Sequence, residues 1–508
     1  MFESAELGHE IDKERYAADE PRVRRALLAA QYELVELAAF PVVILIAGVD
    51  GAGKGDTLNL LNEWMDPRHI QTNAMRPVGT DLEGRPPMWR FWRALPPKGR
   101  TAIFVGSWYS QPLTDRAYRE TSAAELDQQI AEIKRFEQML TDEGTLLIKF
   151  WLHLSKDQQR KKFKRLEKDK QTAWRVSDTD WKHVKVYERF RSITHHVVRA
   201  TSTAEAPWLV VEGHDARYRN LTVATSVLAA LKQRIAGAKA ATAAQVAKAA
   251  EPAPVVVEGA SAPISQVASI DGITVLDRLQ LDQALDKDAY KDQLETWQGR
   301  LNLAMRHRRF DRLSVVAAFE GCDAAGKGGA IRRVTQALDA RAYDVIPIAA
   351  PTDEERSRPY MWRFWRQVPA RGRMAIFDRS WYGRVLVERV EKLCDVRDWT
   401  RAFNEVNDFE DDLVRNDTVV VKFWLQISKE EQLRRFEERK ATPHKQHKIT
   451  PEDWRNRERW DDYHRAVSEM FERTSTERAP WTLVEGNNKY FARLKVLRTM
   501  VEAIEAAL

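Results

Sequence analysis

This chain is written twice, and that repetition constrains its fold more than any other feature. Gly48-Val-Asp-Gly-Ala-Gly-Lys-Gly55 recurs as Gly321-Cys-Asp-Ala-Ala-Gly-Lys-Gly328, an offset of 273 residues. Trp89 and Trp362, Ser107 and Ser380, Trp151 and Trp424, and Trp208 and Trp481 keep the same offset. Between Gly84 and Tyr109, 17 of 26 positions equal their partners. A length of 508 residues would by itself suggest about three domains. The repeat replaces that expectation with one fold used twice, over residues 20–235 and 275–508.

Between the copies lies an Ala-rich and then Pro-bearing stretch, residues 236–274, with Pro252, Pro254 and Pro263. It reads as a linker with an extended second half. Its Ala-rich first half is either a helical part of that linker or a continuation of the first copy's last helix.

Composition serves mainly to exclude. With 44% hydrophobic and 31% charged residues, wholesale disorder is ruled out. Two cysteines, Cys322 and Cys394, cannot form a disulfide framework and suit a reducing compartment, so the cytoplasm is the expected location. The first residues mix Glu, Asp and His without an apolar core and do not resemble a secretory leader. The longest apolar run, Leu37 to Val49, is too short for a membrane span and reads as a buried strand. A net charge of +6 favours anionic partners only mildly.

Each copy alternates short apolar runs with helical stretches. The runs are Val42–Ala47, Ala102–Val105, Thr145–Leu152 and Trp208–Val211 in the first copy. In the second they are Ser314–Phe319, Ala375–Phe377, Thr418–Leu425 and Trp481–Val484. Near-continuous apolar strands between helices predict an α/β fold with a mainly parallel sheet covered on both faces. Ser155-Lys-Asp-Gln158 and Ser428-Lys-Glu-Glu431 fit the capping box, so a helix should follow the third run in each copy. Twelve of the 17 Trp fall in six repeat-related pairs, which points to packing.

Gly-x-x-x-x-Gly-Lys after a buried strand is the phosphate-loop pattern. Glycines let successive N–H groups face phosphate oxygens, the helix N-terminus adds partial positive charge, and the lysine adds a full one. Here the pattern occurs in both copies, through Lys54 and through Gly326, Lys327 and Gly328. The usual Ser or Thr after the lysine is replaced by Gly55 and Gly328. Asp50 and Asp323, inside the loops, are alternative metal carboxylates, or else residues that only shape the turn.

The second run separates the copies. In the second copy it ends Ile376-Phe-Asp-Arg-Ser-Trp-Tyr-Gly-Arg384. Asp378 is placed to hold a metal ion, and Arg379 and Arg384 to stabilise charge on a transferring phosphoryl group. The first copy has Val105, Gly106 and Gln111 at those positions. The second copy is therefore expected to be the catalyst. The first either binds phosphates through Lys54 or only supports the fold and the assembly.

Further cations follow the third run: Arg434, Arg435, Arg439, Lys440, Lys445 and Lys448, with His444 and His447 among them. They read as a helical lid over phosphates, or as a solvated charged face. Met361-Trp-Arg-Phe-Trp-Arg366 puts Arg363 and Arg366 three apart on one helical face, as phosphate-binding cations or as exposed arginines on a packed aromatic helix.

Together these motifs resemble the polyphosphate kinase 2 family. The residues that carry the likeness are Gly321-x-Asp-x-Ala-Gly-Lys-Gly-Gly329, Phe377-Asp-Arg-Ser-Trp-Tyr-x-Arg384, Val387-Glu-Arg-Val390 and the basic lid. The tandem arrangement resembles the two-domain class. The resemblance implies two P-loop kinase-like domains, a divalent ion (Mg²⁺, with Mn²⁺ as alternative), and phosphoryl transfer from inorganic polyphosphate to AMP, giving ADP. By the same resemblance Asp323, Lys327, Asp378, Arg379 and Arg384 match functional positions, and Glu388 falls in the motif without a defined role. Polyphosphate and AMP or ADP are then the partners, with neither nucleic acid nor membrane, and a homo-oligomer is compatible with the class. Two other readings stay open from the residues alone: an ATP-dependent nucleotide or small-molecule kinase, and a nucleic-acid-binding P-loop NTPase.

Overall fold

The computed structural model describes residues 1–75, 84–250, 274–443, 446 and 449–508. Of these, one compact unit takes 1–75, 90–250 and 351–362, and the other takes 84–89, 274–350 and 363–508. The short segments 84–89 and 351–362 thus group with the opposite unit from the repeat that encodes them. Among the described residues no helix is long and apolar enough to cross a membrane.

Each unit holds a five-stranded, all-parallel sheet. In the first, β1 (Val42–Gly48), β2 (Ile70–Ala74), β3 (Thr101–Val105), β4 (Leu146–His153) and β5 (Trp208–Glu212) lie in the order β2-β3-β1-β4-β5. In the second, β6 (Ser314–Gly321), β7 (Tyr343–Pro347), β8 (Met374–Asp378), β9 (Thr418–Gln426) and β10 (Trp481–Glu485) lie in the order β10-β9-β6-β8-β7. The four strands expected per copy are present. The fifth in each, β2 and β7, was not foreseen. Both are sheet-edge strands with half-buried or exposed residues, so they lack the apolar run that marks the others.

The central strands β1 and β6 are almost wholly buried, which is why they read as apolar runs. The core of the second unit joins Val315, Ala317 and Phe319 of β6 to Phe423 and Leu425 of β9 and to Val496, Leu497 and Met500 of the C-terminal helix. Of the twelve paired tryptophans, ten are buried, and only Trp181 and Trp454 are half-buried.

Helices follow β4 and β9 as expected, over Lys156–Lys168 and Lys429–Ala441. Ser155 and Gln158 form the full capping box. At Ser428 only half of it forms, because the Glu431 carboxylate is taken by Arg434 and Arg435. The helix starting at Ala216 runs unbroken to Ala250, so the Ala-rich stretch prolongs the first repeat's last helix. The linker prolines lie outside the described residues.

Candidate active site

In the second unit β6 ends at Gly321, whose φ is +147°, and a Cβ there would lie 2.4 Å from the Leu425 carbonyl oxygen. Only glycine lets the loop leave the strand so close to β9. The loop closes at Gly326, φ +111°, which caps the helix Lys327–Thr335. That helix presents its N-terminus and the Lys327 ammonium to whatever sits in the loop. Lys327 Nζ rests on the Gly321 carbonyl at 2.8 Å. Gly328 has open space around its Cα.

Parallel pairing of β6 with β8 sets Asp378 beside Phe319, at the same sheet end as the loop. The next residue, Arg379, turns back with φ +65°. Its backbone N–H donates to the Phe319 carbonyl at 3.0 Å, and its guanidinium reaches Asp323 Oδ1 at 3.5 Å. Asn456 Nδ2, from the helix Pro451–Glu458, donates to Asp323 Oδ2 at 2.8 Å. The loop, the strand end and the helix Pro451–Glu458 therefore converge on Asp323.

Beneath them Glu320 is buried, accepting from the Ser380 N–H at 2.7 Å and hydroxyl at 2.8 Å. Burial raises its pKa, against the pull of Lys327 and Ser380. Arg384 is ion-paired through Nε with Glu388 at 2.8 Å and lies 3.8 Å from Asp398. Among the described residues no group of three or more His, Cys, Asp or Glu could hold a metal. An ion at this site would rest on Asp323 and Asp378 and fill its shell with water and phosphate oxygens. That donor set suits Mg²⁺, which retains several waters.

The remaining predicted cations divide. Arg363 and Arg366 do not share a helical face: the helix is a single turn, Trp362–Trp365, and ends before Arg366. Arg363 is buried and donates to the Ala349 carbonyl at 2.9 Å, while Arg366 is exposed. Arg434 is paired with Glu431 at 2.7 Å and Glu438 at 3.6 Å on an exposed face, and Lys440 is exposed. Arg439 lines a cavity of about 210 Å³ with Arg435, Lys489 and Arg493, beside Gly326 and Gly329. His444, Lys445, His447 and Lys448 lie outside the described residues.

Sequence reasoning singled out neither Asn456 nor Glu320, and gave Arg435 no distinct role. Arg435 is buried and binds the phosphate loop from behind. It donates to the carbonyls of Ala324 at 2.9 Å, Ala325 at 3.1 Å, Gly486 at 2.7 Å and Asn487 at 2.9 Å. The first repeat has Lys162 at that position and instead uses Arg219, from its last helix. Arg219 Nη1 lies 3.5 Å from the Ala52 carbonyl and 3.4 Å from that of Gly213, the equivalents of Ala325 and Gly486. One guanidinium therefore braces each loop, supplied from different helices.

The strand-end motif also separates into two functions. Trp381 and Tyr382 donate to Glu410 at 2.9 Å and 2.7 Å, and the buried Lys422 pairs with that carboxylate at 2.7 Å. Trp108, Tyr109, Glu137 and Lys149 repeat the arrangement in the first unit, at 3.0, 2.6 and 2.6 Å. Burial raises both carboxyl pKa values and lowers both ammonium ones. Trp-Tyr is tied into this core in both copies, whereas the charged residues around it differ.

In the first unit the loop is closed on itself. Lys54 Nζ donates to Gly48 O and Asp50 Oδ1, both at 2.9 Å, and His183 Nδ1 meets Asp50 Oδ2 at 2.5 Å. Burial would raise the Asp50 pKa, but Lys54 and His183 together hold it well below the carboxylate range.

The second unit is thus a P-loop phosphotransferase-type site: a phosphate loop, a strand-end carboxylate and arginine, and a helix that brings Asn456 to the loop. The polyphosphate kinase 2 pattern matches residues 10–239 and 284–508, and the chain belongs to that family. It is 56% identical over its full length to a polyphosphate:AMP phosphotransferase of Pseudomonas aeruginosa, covering 99% of that protein. It is 36% identical to one of Acinetobacter johnsonii, over 96% of this chain and 97% of that one. A crystal structure of a polyphosphate kinase 2 from Pseudomonas aeruginosa superposes with a TM-score of 0.87 at 54% identity, covering 100% of this chain and 99% of that one.

Proposed function

We propose that the chain transfers the terminal phosphoryl group of inorganic polyphosphate to AMP, giving ADP, and that the second repeat is the catalyst. The observation that carries this reading is the convergence of Asp323, Lys327, Asp378 and Arg379 at one strand end, in a chain matched along its whole length by polyphosphate:AMP phosphotransferases. An oxygen of the AMP phosphate forms a bond to the terminal phosphorus, and the bridging P–O bond to the rest of the polymer breaks. The shortened polyphosphate leaves with the bridging oxygen. The nucleophile is already anionic at neutral pH, so positioning and charge neutralisation are what the protein must supply. Lys327 and the loop N–H groups hold the transferring group, Arg379 meets its developing charge, and Arg384 swings from Glu388 toward the donor. Arg439 and Lys440 face the polymer on the lid side. Mg²⁺ on Asp323 and Asp378 would screen the phosphate oxygens. Two unpaired cysteines suit the cytoplasm as the setting.

A donor and acceptor panel tests the reading. AMP with polyphosphate should yield ADP, and AMP with ATP should yield little. An enzyme for which ATP is the good donor and polyphosphate inert would be an ordinary nucleotide kinase.

A further inference from the structure

Over the closed loop of the first unit lies a cavity of about 210 Å³. Its walls include Leu113, Tyr118, Trp151, Tyr187 and Phe190, and its polar end is Asp50 with Lys54 and His183 already on its two oxygens. The repeat register shows what has changed there. Ala47, Gly106, Tyr118 and Val186, all in this wall, stand where the second repeat has Glu320, Arg379, Glu391 and Arg459. Four charges have gone, two of each sign.

The apolar wall of this cleft is partly open to solvent, so covering it with an apolar guest is favourable. The cleft keeps a ring-lined wall and a few polar groups at one end, the arrangement of a small-molecule site. We infer that it is a binding site for an uncharged fused-ring heterocycle. A dry cavity of about 150 Å³ holds one benzene ring, so this volume suits two fused rings. Aromatic walls favour a planar guest. An added anion would have to displace Asp50 from Lys54 and His183, whereas a neutral ring leaves that pairing intact. Gln159 Oε1, a buried oxygen with no hydrogen-bond partner among the described residues, lies at the wall and can accept from the edge of the ring. Such a site would lie in the first unit, apart from the catalytic residues proposed for the second.

Adenosine is the probe, since it carries a purine and no charge. It is titrated calorimetrically into the full chain under saturating AMP, which fills the acceptor site. One-to-one binding is expected, with a dissociation constant on the order of 10⁻⁴ M. Tyr118→Glu, which restores the second repeat's charge on a partly exposed side chain, should weaken it at least about tenfold. Thr114→Trp, which fills the cavity, should do the same. AMP-dependent turnover of both variants should stay within about twofold of the parent, reporting an intact fold. Absence of binding to the parent chain overturns the proposal. So does unchanged affinity in either variant that keeps its turnover.

Discussion

At position 379 the chain holds an arginine in a left-handed backbone conformation, φ +65°, which costs a side-chain-bearing residue roughly 1–2 kcal/mol. The first repeat has Gly106 in the same conformation, φ +79°, where glycine pays no such cost. Strain at one site and relief at its duplicate is the pattern expected where function maintains an unfavourable backbone. Arg379→Gly should therefore leave the denaturation midpoint of the chain unchanged or raise it by about 1 kcal/mol in stability. It should lower the AMP phosphorylation rate by about 10³-fold. A variant that lost stability in step with activity would show Arg379 to be structural. The sequence revealed this residue because the chain carries its own control, with Asp378 and Arg379 against Val105 and Gly106. It could not reveal Asn456, which meets Asp323 across 133 residues. Glu320 was open to the same comparison, since Ala47 stands at its position in the first repeat, but it lies at the end of an apolar strand where a buried carboxylate carries no local signature.

At the scale of elements, the buried strands, the loops and the helices after β4 and β9 were legible because each has a local signature. β2 and β7 had none, since an edge strand needs no apolar pattern. The brace behind each phosphate loop was also hidden, because it depends on which helix supplies the guanidinium. In the second unit Arg435 comes from the lid-side helix, and at the position of Arg219 stands Ala492. Arg435→Lys should remove most of the four carbonyl contacts, so KM for polyphosphate should rise and kcat should fall, because the loop's N–H groups would lose their aim. A fall in kcat/KM on the order of tenfold to a hundredfold is expected. Adding Ala492→Arg copies the first unit's arrangement and should recover most of the loss. A general packing defect would not be rescued by a larger buried side chain, so failure of the double variant would refute the brace.

For the whole molecule, one duplicated framework carries two different sites. The Trp-Tyr-Glu-Lys core, the sheet order and the phosphate loop are common to both units, whereas the ions that could act on a phosphoryl group are confined to the second. In the first, Lys54 and His183 both serve Asp50. In the second, Lys327 has no carboxylate on its ammonium among the described residues, and rests only on a backbone carbonyl that phosphate can displace. The two lysines, identical in motif, should therefore respond oppositely to removal. Lys327→Ala should abolish ADP formation from AMP and polyphosphate, a loss of about 10³-fold or more. Lys54→Ala should leave that rate within about twofold, and its effect should appear instead in stability, since Asp50 loses one of its two side-chain hydrogen-bond partners in a half-buried site. Steady-state kinetics of both variants beside their thermal unfolding separates these outcomes. Equal loss of rate would mean that the first loop also handles phosphate, and that the charge differences between the repeats do not divide their labour.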